Sequence, residues 1–318
     1  MDIPQELKEA IENVIIREKY SNIINESQSI SRKYRENKGK GEKLVTKQTE
    51  AIAYAISRMP ATYCVVYSIL SKILKNNNFN IKTVFDVGAG TGSATWAINS
   101  LIETQQITCL EREKVMRDIG SRLMKECESF KKTEWKEFDI TKDEINQTSD
   151  LVVTSYVINE LKPEDRRNAI KKMWNATNQI LLIIEPGTPE GFKHIFEARN
   201  ILLAENAEII SPCPHNEKCP INPETDWCSF YVRVSRNSIQ RQAKNGKLGY
   251  EDEKFSYIAV SKTPIKQENS IILRHPQIAK GYVKVKLCTK NGIEEKRYSK
   301  KDKEMYKKVR KLDAGDTI

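Results

Sequence analysis

No apolar run in these 318 residues approaches the roughly 20 that a membrane-spanning helix requires, which excludes helical membrane spans. The opening residues carry Asp2, Glu6, Glu9 and Glu12, too acidic a start for a secretory or transit peptide. A cytoplasmic location is therefore expected, or a mitochondrial one if the chain is a processed organellar form. With no signal peptide, the seven cysteines argue against a disulfide framework, because a reducing compartment keeps thiols free for metals. Internal repeats and long low-complexity tracts are absent too. What remains is an ordinary folded chain whose 39% hydrophobic content suits one medium α/β domain with appendages, or two domains.

Charge is present in excess and unevenly placed. Of the net +10, the stretch from Lys262 to Ile318 carries 16 Lys and Arg against 7 Asp and Glu, leaving 37 against 36 before it. A solvated, solubilising tail is the bland reading of such a run. Here the cations alternate with strand formers (Tyr282, Val283, Val285, Leu287) and with Tyr298 and Tyr306. That interleaving predicts a shaped basic surface and an RNA-like polyanion as partner.

Helical periodicity runs from Pro4 to Tyr20 through Leu7, Ile11, Val14 and Ile15, and a loop is expected through Asn37, Gly39 and Gly41. A second helical pattern covers Ala51, Ile52, Ala55, Ile56 and Met59, interrupted at Pro60, and a third carries Tyr63, Val66, Tyr67, Leu70 and Leu74. From Thr83 onward short apolar strands (84–87, 107–110, 151–154, 180–184) alternate with helix-length segments, which predicts a parallel sheet flanked by helices. The expected division is a helical region over 1–78, an α/β domain over 79–262 carrying a cysteine-rich loop at 209–230, and a basic β extension over 263–318. Within that extension, Lys280 to Lys311 reads as a hairpin turning at Asn291-Gly292, then a helix with Met305, Val309 and Leu312 on one side.

Four cysteines stand out. Cys213, Cys219 and Cys228 crowd a segment containing Pro212, Pro214, Pro220 and Pro223, which can form neither a helix nor a central strand. Such a segment needs another organiser, and thiolates converging on tetrahedral zinc or an iron-sulfur cluster supply one. His215 is a possible zinc ligand, but Pro214 stiffens its link to Cys213, so Cys288, presented by the strand of the hairpin, is the better fourth donor. Cys64, Cys109 and Cys127 lie in apolar contexts and read as core packing.

The first strand ends in Asp86-Val87-Gly88-Ala89-Gly90-Thr91-Gly92, with a helix expected from Ser93. Glycines at a strand-to-helix turn let the backbone approach a nucleotide-like ligand closely. A dinucleotide fingerprint would need glycine where Ser93 stands. An acidic residue two positions before G-x-G-x-G instead resembles motif I of the class I S-adenosylmethionine methyltransferases. That resemblance implies Asp86 near the methionine amino group, Glu111 on the ribose hydroxyls and Asp139 near the adenine, with Gly88, Gly90 and Gly92 as the cofactor loop. The later stretch Ser155-Tyr156-Val157-Ile158-Asn159-Glu160-Leu161 lacks the Asn/Asp-Pro-Pro-aromatic motif of enzymes that methylate nucleic-acid amines, and holds no cysteine to attack a pyrimidine. Asn159 and Glu160 are the candidates there for orienting a substrate, against a plain capping role. An absent general base does not exclude methyl transfer, which can proceed by in-line positioning.

Arg58-Met59-Pro60-Ala61-Thr62-Tyr63, the glycine motif, Glu185-Pro186-Gly187-Thr188-Pro189-Glu190-Gly191-Phe192, Pro212-Cys213-Pro214-His215, Cys219-Pro220 and Trp227-Cys228-Ser229-Phe230 follow one another in the chain. Together, from about Arg58 to the end, they resemble the small-ribosomal-subunit methyltransferase-like family of bacteria and mitochondria. The resemblance implies a class I methyltransferase (Rossmann-like) α/β fold and an iron-sulfur cluster, 4Fe-4S, on Cys213, Cys219, Cys228 and Cys288, with structural zinc the alternative. It further implies S-adenosylmethionine as cofactor and a role in assembly of the small ribosomal subunit, as an active rRNA methyltransferase or as an inactive RNA-binding factor. Asp313-Ala314-Gly315-Asp316 departs from the family's usual Trp-Gly-Asp. Expected partners are rRNA and ribosomal proteins of the small subunit, met by a monomer, with Arg274, Lys284, Lys286, Lys296, Arg297, Lys300 and Lys301 as phosphate contacts. A metal centre shared between the basic extension and the rest would tie the two together.

Overall fold

A computed structural model of the chain describes residues 1–15, 25–27, 29–30, 32–33, 44–236, 240–241, 248–265 and 270–318. Helices α1 (Gln5–Ile15), α2 (Gln48–Ser57) and α3 (Met59–Asn76) precede the first strand. Leu7, Ile11 and Val14 form the buried stripe of α1, as its periodicity predicts. The rest of the expected first helix, up to Tyr20, and the loop through Asn37, Gly39 and Gly41 lie outside the described residues. Pro60 starts α3 instead of interrupting a longer helix, since a proline in the first turn forfeits no hydrogen bond.

Strands β1 (Thr83–Val87), β2 (Gln106–Glu111), β3 (Thr133–Glu137) and β4 (Ser149–Ser155) are parallel, in the order β3-β2-β1-β4. The helices between them include α4 (Ser93–Asn99) and α5 (Lys114–Met124). Both α1 and α2 pack on α5, and α3 packs on α4. This is the Rossmann-like α/β core that the strand-helix alternation predicts. In register, Asp86 stands beside Cys109 on one side and Val153 on the other, so β1 ends at the centre of the carboxyl edge. Its alternating, half-exposed Thr133-Glu134-Trp135-Lys136-Glu137 kept β3 out of the sequence reading.

The chain continues through α6 (Pro163–Asn175), β5 (Thr177–Pro186), α7 (Pro189–Ala204), β6 (Glu208–Ser211), β7 (Phe230–Ser235) and β8 (Tyr250–Ser261). Two compact units interleave along it. One comprises Met1–Leu181 and Val232–Glu253, the other Leu182–Tyr231 and Lys254–Ile318. The cysteine-rich loop and the basic extension therefore share a unit, whereas the sequence suggested consecutive segments. In this second unit β6 pairs antiparallel with β8. There too, β9 (Ser270–Ile272), β10 (Gln277–Ala279) and β12 (Gly292–Ser299) all pair antiparallel with β11 (Tyr282–Thr289). The hairpin turn is Lys290-Asn291, one residue before the expected Asn291-Gly292, because Gly292, at φ 115°, already pairs with Thr289 and opens β12.

The period of two along β11 sends Val283, Val285 and Leu287 to one face. There they form a core with Ile272 and with Val309 of helix α8 (Lys303–Val309), flanked by Met305, Tyr306 and Leu312. Lys284, Lys286 and Cys288 belong to the other face.

Candidate cofactor and metal sites

In the first unit, Gly88, Gly90 and Gly92 all take positive φ, at 69°, 58° and 86°. A Cβ on Gly88 would come within 2.3 Å of Val157 Cγ2, so the residue is required for close approach as well as for its backbone angle. Asp86, 1% exposed, accepts through Oδ2 from Thr95 N at 3.1 Å and Thr95 Oγ1 at 2.7 Å, which fastens the first turn of α4 to β1. Its Oδ1 is buried without a hydrogen-bond partner among the described residues. Burial pushes this carboxyl up to about 7, against the Thr95 bonds, and the nearby charge of Glu111 adds to the rise.

Glu111 closes β2 with its Oε2 accepting from Gly90 N at 2.8 Å and its Oε1 from Glu113 N at 2.8 Å. Burial raises its pKa while those two bonds oppose the rise. The carboxylate thus faces the glycine turn, held by backbone N–H groups of Gly90, Arg112 and Glu113. Glu113 in turn accepts from Leu44 N (3.0 Å) and Val45 N (3.1 Å), which draws the segment before α2 to this edge. Tyr54 of α2 comes within 3.8 Å of where a Gly90 side chain would begin. Burial raises its hydroxyl pKa. No motif singles out Glu113 or Tyr54 in the sequence. Asp139 spends Oδ1 on Thr141 N and Oγ1 and meets Lys142 at 3.5 Å, so it shapes its own turn.

Asn159 and Glu160 lie in the turn between β4 and α6, and the N-cap of α6 is Lys162, so neither residue caps that helix. Asn159 is buried, and Glu160 stands 3.8 Å from Arg112. Arg166 clamps the turn by donating to Ile158 O and Leu161 O. Tyr156, just after β4, sits at φ 63°, an unusual backbone for an aromatic residue.

In the second unit, Cys213, Cys219, Cys228 and Cys288 line one cavity, together with Arg199. Burial raises Cys228 well above an ordinary thiol, and Cys213, Cys219 and Cys288 each push it further. Cys288 is pushed up to about 12 by burial, with Cys213 and Cys219 adding to the rise. Thiols gathered at one cavity in this way form a donor set whose joint ionisation needs a cation, the condition a metal centre meets. Among the described residues, no group of three or more His, Cys, Asp and Glu side chains has metal-holding geometry as it stands. The chemistry of the donors fits soft-metal ligation; the sulfurs border the cavity wall.

Asp226, two residues from Cys228, joins this loop to the basic extension. It pairs with Arg274 and, at 3.0 Å, with Lys286, while Arg274 also donates to Trp227 O at 2.7 Å. Burial would raise the Asp226 carboxyl, but its bonds to Lys286 and Trp227 N and the charges of Arg274 and Lys286 hold it below its ordinary range. Of the expected phosphate contacts, Arg274 and Lys286 are thus engaged inside the protein. Lys284 pairs with Glu295 at 2.6 Å, Lys296 with Glu294 at 3.2 Å, and the Arg297 guanidinium lies 3.6 Å over the Tyr282 ring. Lys300 and Lys301 occupy an exposed turn, and among the described residues neither side chain meets a carboxylate. Sequence reasoning missed Arg199. The signal was available: with Ile195, Ala198 and Leu202 it falls on the apolar stripe of α7.

The family described as mitochondrial small ribosomal subunit Rsm22 matches residues 48–318. The chain belongs to that family. It is 24% identical over 188 residues to the human mitochondrial ribosome assembly protein METTL17, covering 54% of this chain and 41% of that protein. To the mitochondrial Rsm22-cox11 tandem protein 2 of Schizosaccharomyces pombe it is 24% identical over 242 residues, covering 67% of this chain and 32% of the relative. The chain therefore spans less than half the length of these curated relatives. Among solved structures, it is similar to a SAM dependent methyltransferase from Aquifex aeolicus at 13% identity and a TM-score of 0.44, over 69% of this chain and all of that one. No described helix is long and apolar enough to cross a membrane.

Proposed function

We propose that this protein binds S-adenosylmethionine and an iron-sulfur cluster and acts on the small ribosomal subunit during its assembly, where it contacts rRNA. The named relatives are mitochondrial, and the ribosome-assembly role in the name of one of them supports the small ribosomal subunit as the partner of this chain. The observation that carries the metal half is the meeting of Cys288 with Cys213, Cys219 and Cys228 at one cavity. Four thiolates bordering a cavity suit a cluster of the 4Fe-4S type, which takes four cysteine ligands; structural zinc is the alternative. The cofactor half rests on the positive-φ glycines, the partnerless Asp86 Oδ1 and the Glu111 carboxylate facing that loop.

When bound, the cofactor supplies an electrophilic methyl group. The chain's own part is to orient it: Glu111 accepts from hydroxyls, and Asp86 offers Oδ1 to a donor at the end of β1. An absorption spectrum of anaerobically purified protein, with elemental analysis, tests the cluster. A colourless protein free of iron overturns it.

A non-catalytic assembly factor is the second reading, favoured by the pairing of Glu160 with Arg112. Labelled cofactor incubated with immature subunits separates the two. Transfer of label to rRNA or ribosomal protein that is lost in Asp86→Ala supports an enzyme, and transfer that survives the substitution points to a contaminant.

A further inference from the structure

Helix α7 carries an arginine where its neighbours are apolar. Arg199 is 3% exposed, between Ile195, Ala198 and Leu202 on the buried stripe. Its Nη2 donates to His215 O at 3.3 Å and to Glu217 O. Nε and Nη1 are buried with no partner among the described residues. Burying a guanidinium with donors unsatisfied is costly, and a folded protein tolerates it where an anion completes the site.

The residues around the cavity narrow what that anion is. Among the described residues no Asp or Glu lines it; the other walls are apolar side chains, Tyr257 and the four cysteines. Arg199 lines the same cavity as the four cysteines and is the guanidinium among its walls. Four thiolates around a zinc ion, or around an oxidised 4Fe-4S core, leave a net charge of about −2, whichever metal is present. A single buried guanidinium offsets about half of it.

We infer that Arg199 is the internal counter-charge of the four-cysteine centre, with Nε and Nη1 as its donors to the bound metal-thiolate group. It acts through the ligands and touches no substrate, so it is a positioning residue. The inference rests on the metal reading proposed above and adds a positive charge at the wall of the same cavity. The Nη2 bonds to His215 O and Glu217 O also fix the loop between Cys213 and Cys219, so the same side chain sets both the charge and the loop.

Full-length Arg199→Gln and Arg199→Lys test this against the unaltered protein, all purified anaerobically. The readouts are iron and zinc content, retention against a competing chelator, and, for an iron-containing form, the reduction potential. Arg199→Gln should lose about tenfold or more in metal retention, the usual scale for a partner behind the ligands. Its potential should be more negative, because reduction adds an electron to a centre that has lost a positive neighbour. Arg199→Lys, which keeps the charge, should retain metal and hold the potential close to that of the unaltered protein.

Equal retention and equal potential in all three proteins overturn the inference. So does equal loss in both variants when far-ultraviolet circular dichroism of their metal-free forms matches the unaltered protein, because charge is then not the cause. If Arg199→Gln fails to fold, Arg199→Lys decides: full occupancy supports the role, and loss in a folded protein removes it. An unaltered protein that holds neither iron nor zinc sinks the metal reading itself, and this inference with it.

Discussion

The sulfur of Cys288 lies 3.7 Å from Nε2 of His215, although 73 positions separate the two residues in the chain. His215 belongs to the proline-rich loop and Cys288 to β11, whose opposite face builds a core of its own with α8. One strand thus packs its own hairpin and delivers a thiol to a distant loop. Replacing Cys288 by serine should abolish most metal binding and weaken binding to the small ribosomal subunit, while the hairpin core stays folded. Elemental analysis and co-sedimentation with subunits check both. Unchanged subunit binding by a metal-free protein would falsify the coupling between metal and RNA surface.

Asp86 should make the protein less stable as pH rises. Burial is the main cause of its raised value, about 7 in the folded state, whereas an unfolded aspartate ionises near 4. Between those values the folded form holds a proton that the unfolded chain has released. The stabilisation is full below about pH 4 and is lost as pH climbs through about 7. At roughly 1.4 kcal/mol per pH unit the upper limit is about 4 kcal/mol. Asp86→Asn still accepts the Thr95 bonds and does not titrate. Urea midpoints between pH 5 and 8 should fall less steeply in the variant; parallel curves would show that another group carries the slope.

Gly88→Ala should destabilise the first unit by about 1–3 kcal/mol, since the added Cβ lands 2.3 Å from Val157 Cγ2 at φ 69°. The double variant Gly88→Ala, Val157→Ala should recover part of the loss but not the backbone share. Denaturant titration separates these contributions. A neutral Gly88→Ala would mean that the turn yields more easily than its packing implies.

For RNA, the cations that face solvent without a carboxylate neighbour should matter more than those already paired. Changing Lys300 and Lys301 together to glutamine should lower the log-log salt slope of rRNA binding by roughly 1.4 to 1.8, about two phosphate contacts. The same change at Lys284 and Lys296, paired with Glu295 and Glu294, should move it little. Filter binding across a salt series reads both. Equal effects from the two pairs would place the phosphate path over the strands as well.

Much of the α/β core was legible because its signals are local. The strands at 84–87, 107–110 and 151–154, the glycine turn with its helix from Ser93, and the hairpin, to within one residue at its turn, each follow from apolar period and backbone permissiveness within a few residues. By contrast, β3 was invisible because its residues are half exposed and polar. The cations on β11 and β12 looked equivalent to those of the next turn, since a linear pattern of lysines does not say which ones face Glu294, Glu295 or Asp226.

By itself the sequence determined which residue types exist to do chemistry: a glycine loop after an acidic strand end, the four cysteines from Cys213 onward, and an excess of cations from Lys262 on. Tertiary structure alone decided their company. It set Cys288 beside a loop some 60 to 75 positions earlier, committed Arg274 and Lys286 to Asp226, and buried Arg199 at the cavity that the four cysteines line. The physical reason is that periodicity and turn preference act between near neighbours, whereas charge compensation and ligand convergence depend on distances that exist only once the chain has folded back on itself.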